Sequence, residues 1–376
     1  MLDHITVGAK GRGLHPAETN NRNLSFDFAK GILITLVVVG HLLQYCIYRG
    51  TEAFWLSPYF KSIYIFHMPL FMAISGYLSS GAIFRKSFNQ GIGDRATQLL
   101  LPMLFWCVLI WALKSAVSFP TESFTKGLLD LSTEVVGTYW FIWAAFISFF
   151  LIRLLTTFSR LSIWIIGLSA IVVALAPVTF SITPLLRYTY PFYCLGFLCA
   201  QSAGWQNSII WRNKSISLGL LSISAFICFL WWGKDTYAYN NLVLIEDGKS
   251  FKQVFLMFAG SAAASAVAMQ FMFQCWRLVY STRMAHFVAV ELGQSTLLLY
   301  LVQGAVFRLM DLINFGDVWD LTTRIAFASA VGVAIVVIAM AIRRVTRDLG
   351  YVSRIVVGAP PRPSLPKSQS VTNLAT

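Results

Sequence analysis

Charge is what this chain has least of. Asp, Glu, Lys and Arg make up only 12% of its 376 residues, while 57% are hydrophobic; soluble globular proteins carry about 25% charged residues. That balance excludes a water-soluble enzyme or a solvated binding module, and describes a polytopic helical membrane protein. Cysteine is sparse as well. The six (Cys46, Cys107, Cys194, Cys199, Cys228, Cys275) lie mostly in apolar runs and form no CxxC pair. This excludes a disulfide framework and a spaced-cysteine zinc site, and leaves them as packing residues. No metal is expected. The first 24 residues are polar, with His4, Lys10, Arg12, His15 and Arg22, and lack the apolar core of a signal peptide. The first apolar run is therefore expected to stay in place as a membrane span.

What is present is a series of apolar runs of about 20 residues, the length that crosses a bilayer. They begin near Phe28, Ser62, Leu99, Tyr139, Leu161, Tyr188, Ser215, Phe251, Leu292 and Thr323. The pattern predicts an all-α, polytopic membrane protein with about ten transmembrane helices, N- and C-termini cytoplasmic, in the cell's inner (cytoplasmic) membrane. Residues 1–24 form a cytoplasmic N-terminal segment, 25–345 the membrane domain, and 346–376 a Pro/Ser-rich, disordered cytoplasmic tail. The sixth run, around YPFYCLGFLCA, is short and holds Pro191 and Gly196. Charge tests the count. With the N-terminus inside, 19 basic and 6 acidic residues fall on the cytoplasmic side against 10 and 10 outside, so the whole net charge of +13 lies on one face. The positive-inside rule requires this asymmetry. Basic charge distributed in this way sets topology, and nucleic-acid binding is not expected.

Against that background the first run, LSFDFAKGILITLVVVGHLLQ, stands out. Ionisable groups inside a membrane are costly and mark functional sites. At 100° per residue, His41 returns to within ~20° of Lys30, and Asp27 lies within ~40° of His41, so one face of this helix is polar. Lys30 and His41 are ~16 Å apart along the axis and cannot touch; they suit two ends of one ligand or two steps of one reaction. Asp27 and Lys30, at i and i+3, can form a local ion pair. Alternatively, Lys30 meets an anionic group such as a phosphate of a nucleotide-bearing donor. Arg85, Lys86 and Arg95, close to the same surface, either add phosphate contacts or only determine topology.

The second run, SIYIFHMPLFMAISGYLSS, places His67 about as deep below the outer surface as His41, so two imidazoles are expected to face one cavity. A histidine titrates near neutral pH and can take a proton from a hydroxyl; the simpler role is a hydrogen bond between helices. Ser75 and Gly76 suit close helix packing. Glu291 and Gln294 suit a helix cap or the donor's way in. The outer loop with Tyr237, Tyr239, Asn240 and Asn241 suits surface anchoring or sugar binding.

RNLSFDFAKGILITLVVVGH followed by FHMPLFMAISGYL resembles the acyltransferase-3 family of integral membrane O-acyltransferases. The family's hallmark is Arg or Lys, ten residues, then His in the first span, which Lys30 and His41 satisfy. Further similarity lies in RATQLLLP, TYWFIWAAF, YPFYCLGFL and LGQSTLLLYLVQ, so the resemblance covers roughly residues 22–345. Within the family it is closest to the fucose 4-O-acetylase-like branch, which includes rhizobial nodulation-factor acetyltransferases. Gln303 departs from the pattern: many relatives have His there. The resemblance implies an acyl-CoA donor, usually acetyl-CoA, and a carbohydrate hydroxyl acceptor, such as that of a lipo-oligosaccharide or exopolysaccharide. It also implies that His41 is the catalytic histidine with Lys30 as its motif partner. The competing reading of the same residues is a proton-coupled transporter or exporter of a sugar-containing substrate, since Asp, Lys and His along one span also describe a proton path.

Overall fold

The computed structural model describes residues 23–117, 124–158, 163–201, 214–238, 245, 247–313 and 319–358. The N-terminal segment up to Arg22, the loop residues Tyr239, Asn240 and Asn241, and the tail from residue 359 lie outside them. All regular structure among the described residues is helical. Among the described residues, six helices are long and apolar enough to cross a membrane: Leu24–Ile47, Pro58–Arg85, Phe88–Ala116, Trp140–Phe158, Gly248–Val279 and Leu321–Thr346. A pair bent by 73°, Arg283–Leu292 with Thr296–Met310, makes a seventh if counted as one span.

The remaining apolar runs also become helices, but of other kinds. Ile163–Leu175 and Ser215–Trp231 are short. Thr183–Gln201 (α8) fails on composition because it carries Arg187, Tyr188, Tyr190 and Tyr193, yet these four side chains are buried. The bundle explains them. Arg187 donates from Nε and Nη2 to Ala174 O (3.3 and 3.1 Å) and from Nη1 to Val178 O (3.4 Å), closing the carbonyl end of Ile163–Leu175. A helix enclosed by protein needs no lipid-compatible face.

Two glycines bring α8 against the second span. A Cβ on Gly76 would run into Tyr193 O, and one on Gly196 into Ala73 O; only glycine lets the two backbones approach this closely. The second span is itself interrupted, with helices Pro58–Tyr64 (α2) and His67–Arg85 (α3) meeting at Ile65–Phe66. Pro69 accounts for the break, since its ring would strike the carbonyl four residues back, at Ile65.

The first helix, Leu24–Leu42 (α1), is capped by Asn23, whose side chain accepts from Ser25 N (3.1 Å). It runs through the main core, where Ala29, Leu33, Ile34, Val37 and Val38 pack with Leu298, Leu299, Leu301 and Val302 of Thr296–Met310 (α13). Past Leu42 it loosens into a π turn, Leu43–Ile47. Further π turns occupy Glu134–Thr138, Leu256–Gly260 and Phe287–Leu292; such insertions concentrate at functional sites.

Gly350–Val357 is a helix, whereas the sequence assigned it to a disordered tail. Trp106 Nε1 donates to Val356 O (3.1 Å) and Arg354 Nη2 to Thr97 Oγ1 (3.0 Å), which tie it to Phe88–Val117 (α4). Gly358, at φ 74°, ends it in the left-handed conformation. Eight residues are too short for a span, and tertiary contacts rather than apolar length hold them.

Candidate active site

His41 stands at the end of α1, just before the π turn, and faces a cavity of about 400 Å³. Its Nδ1 lies 2.8 Å from Val37 O. A carbonyl oxygen only accepts, so the proton of the neutral ring is on Nδ1 and the lone pair is on Nε2. The ring lies in a cluster of nearly parallel rings: Phe307 of α13 is 5.6 Å away at 21°, and Tyr45, on the π turn, 6.1 Å away at 6°. Tyr45 and Phe307 stack at 5.1 Å. Tyr64, Tyr300 and Gln303 wall the same cavity. Gln303 is buried, and its Oε1 has no hydrogen-bond partner among the described residues.

The cavity's fixed charge comes from three separate segments. Glu134, on the second π turn, is buried. It accepts from Arg308 Nε and Nη2 (2.9 and 2.7 Å), Lys114 Nζ (2.5 Å) and Thr138 Oγ1 (2.5 Å). Thr138 and Arg308 line the cavity. Burial pushes the Glu134 carboxyl up, but the hydrogen bonds from Arg308, Lys114 and Thr138 outweigh burial and hold it down at about 2. The carboxylate in turn fixes the guanidinium of Arg308 at the cavity wall.

At the other end of α1, Lys30 Nζ pairs with Asp27 Oδ1 at 2.8 Å, and Asp27 is buried. The break in the bent pair presses on this point. A Cβ on Gly293 would meet Asp27 O, and one on Gly31 would meet Val288 O. Arg343 Nη1 caps the broken end, donating to Val290 O and Glu291 O (both 3.0 Å) and to Glu291 Oε2 (2.9 Å). Glu291 is therefore an ion-pair partner, and Arg343 does the capping. The new helix, α13, begins at Thr296, so its positive N-terminal end lies beside the Asp27–Lys30 pair.

Residues 23–344 match a family described as an acyltransferase domain. The chain belongs to this acyltransferase family. Nodulation protein NolL of Mesorhizobium japonicum is 80% identical to it over 373 residues, 99% of this chain and 100% of that protein. Nodulation protein NolL of Sinorhizobium fredii is 63% identical over 361 residues, 96% of this chain and 99% of that protein. No solved structure matches the chain. The protein is thus a multi-pass membrane O-acyltransferase, and the matched region contains Lys30, His41 and the whole Glu134 cluster.

In this acyltransferase the two histidines expected to share a cavity are placed differently. His67 is buried and absent from the cavity wall, which the next residue, Met68, reaches instead. Its Nδ1 is 2.9 Å from Ile63 O, and its Nε2 has no partner among the described residues. It contacts the site through Tyr64, whose ring meets its own edge-on at 4.5 Å. The break before His67 resets the helical phase, so equal depth with His41 does not bring its ring to the same wall.

The basic residues at the far end of α3 are occupied locally. Arg85 Nε donates to Gly81 O (3.0 Å), Lys86 pairs with Asp94 (2.6 Å), and Arg95 donates to Gln98 Oε1 (2.9 Å) and lies over the Phe149 ring. Sequence reasoning missed Lys114, Glu134 and Arg308. Their one signal was chemical: both signs of charge at the edges of apolar runs, all on the side assigned to the outside.

Proposed function

We propose that this acyltransferase moves acetyl from acetyl-CoA to a sugar hydroxyl of a lipo-oligosaccharide, a nodulation factor in particular, in the inner membrane, with about ten spans and both termini cytoplasmic. The observation that carries the chemistry is the bond from His41 Nδ1 to Val37 O (2.8 Å), which leaves Nε2 free to act as a base at the cavity. The hydroxyl gives its proton to Nε2 as its oxygen bonds to the thioester carbonyl carbon. The tetrahedral intermediate collapses, the carbon–sulfur bond breaks, and the departing thiolate takes the proton back from the imidazolium. Arg308, fixed by Glu134, faces the negative charge that develops on the carbonyl oxygen. His67 acts as a positioning residue behind Tyr64.

Lys30 takes an anionic group of the donor in exchange for Asp27, and the adjacent N-terminal end of α13 favours the same charge. Arg85, Lys86 and Arg95 supply longer-range attraction at the cytoplasmic surface. The ~16 Å between Lys30 and His41 then separates donor anchorage from transfer. Support for the acceptor comes from the two nodulation proteins that this chain matches over nearly its whole length. The test is mass spectrometry of lipo-oligosaccharides from cells with and without the gene. Loss of one acetyl increment from a single sugar is expected; identical spectra overturn the assignment.

A further inference from the structure

A second cavity, of about 380 Å³, opens beyond the first at the His41 end of α1. The two share Gln44 and Tyr45 as walls. Tyr48, Arg49, Gly50, Thr51, Glu52, Phe54 and Asp311 complete the second one, and none of these seven lines the first. From this geometry we infer a subsite for the sugar unit next to the one that is acetylated, so that the acceptor is an oligosaccharide gripped over at least two residues. The inference rests on the transfer reaction proposed above and adds where the rest of the acceptor sits.

The walls suit a neutral polyol. Tyr45 and Tyr48 offer aromatic rings to the apolar face of a sugar, and two carboxylates and an amide accept from or donate to its hydroxyls. Each carboxylate already has a cation: Asp311 lies 3.4 Å from Arg308, and Glu52 pairs with Lys234. Their charge is balanced while lone pairs remain for hydroxyl donors. With Arg49 also in the wall, the paired carboxylates leave no strong excess of either sign for an ionic ligand, and an alkyl chain would cover their remaining lone pairs without replacing the hydrogen bonds.

The site is also built in advance of the ligand. The chain turns at Gly50, which has φ 74° and open space around it, a conformation that glycine adopts freely. Thr51 donates from its amide and its hydroxyl to Tyr48 O (3.1 and 3.0 Å). Arg49 Nη2 reaches Ile313 O (3.0 Å), tying this turn to the end of α13 just beyond Asp311.

The purified full-length enzyme, with acetyl-CoA, decides the matter on a fucoside monosaccharide and on fucose-bearing oligosaccharides of two to five units. Wild type is expected to prefer the oligosaccharides in kcat/KM by on the order of tenfold or more, through KM, the scale of one or two hydrogen bonds to charged groups. Tyr48→Ala and Glu52→Gln each reduce that preference ratio toward one, and Tyr48→Phe retains it. Equal efficiency on all acceptors in wild type, or a ratio unmoved in both variants, overturns the subsite. If no acceptor is acetylated, saturation-transfer NMR with the same oligosaccharides separates the two claims. Binding that Tyr48→Ala abolishes upholds the subsite and overturns the transfer reaction; absence of binding overturns the subsite.

Discussion

The rings of His41 and Phe307 lie nearly parallel, 21° apart, with centroids 5.6 Å from each other. This contact sets the register between α1 and α13. Near the start of both helices, Gly293, three residues before α13, presses on Asp27 O of α1. One pair of helices therefore carries both ends of the site, and the stack at the top holds the imidazole's tilt.

Phe307→Ala should consequently reduce turnover more than binding. A reacting group displaced by about 1 Å can cost up to a hundredfold, so kcat is expected to fall roughly ten- to a hundredfold while KM for acetyl-CoA changes little. Steady-state kinetics with the two substrates varied separately checks this. A rise confined to KM would show that the stack serves binding instead.

Glu134→Gln removes the one anion between Lys114 and Arg308. Breaking a buried charge pair costs about 3–5 kcal/mol; partial exposure of both cations places the expected loss near the lower figure. Thermal unfolding in detergent measures it. A variant as stable as wild type would contradict the electrostatic role given to the cluster.

The same carboxylate sets a pH dependence. Its folded value, about 2, lies below the ordinary 4.5, so the stability it contributes is complete above pH 4.5 and is lost as pH falls toward 2. The stability gap between wild type and Glu134→Gln should therefore be constant from pH 5 to 7 and shrink below about 4.5. A gap that widens on acidification would reverse the sign of the argument.

Lys30→Ala should raise KM for acetyl-CoA, by roughly tenfold for one lost charge-assisted hydrogen bond, with little effect on the acceptor's KM. Asp27→Asn removes the negative charge 2.8 Å from Lys30 and should not raise donor KM. Donor affinity unchanged in the Lys30 variant, measured by equilibrium binding, removes the donor role of Lys30.

Much of this protein was legible in its sequence because apolar length and charge asymmetry are local signals. The run containing Lys30 and His41 became α1, and His41 faces a cavity as its setting implied. What escaped depends on contacts distant in sequence. The sixth run read as short, with Pro191 and Gly196 in it, and only the bundle extends the helix back to Thr183 and reveals the carbonyls of Ala174 and Val178 that Arg187 serves. Glu134 meets Arg308 across 174 positions, a distance over which no spacing rule operates. The placement of His67 turned on a break at Ile65–Phe66.

The most direct test of the central claim uses purified wild type and His41→Gln, matched for thermal stability, with labelled acetyl-CoA and a fucosylated lipo-oligosaccharide. Label should appear on the sugar with wild type, and the rate should fall by at least a hundredfold in the variant, the lower range for losing a general base. Transfer within a few-fold of wild type by His41→Gln would contradict the account.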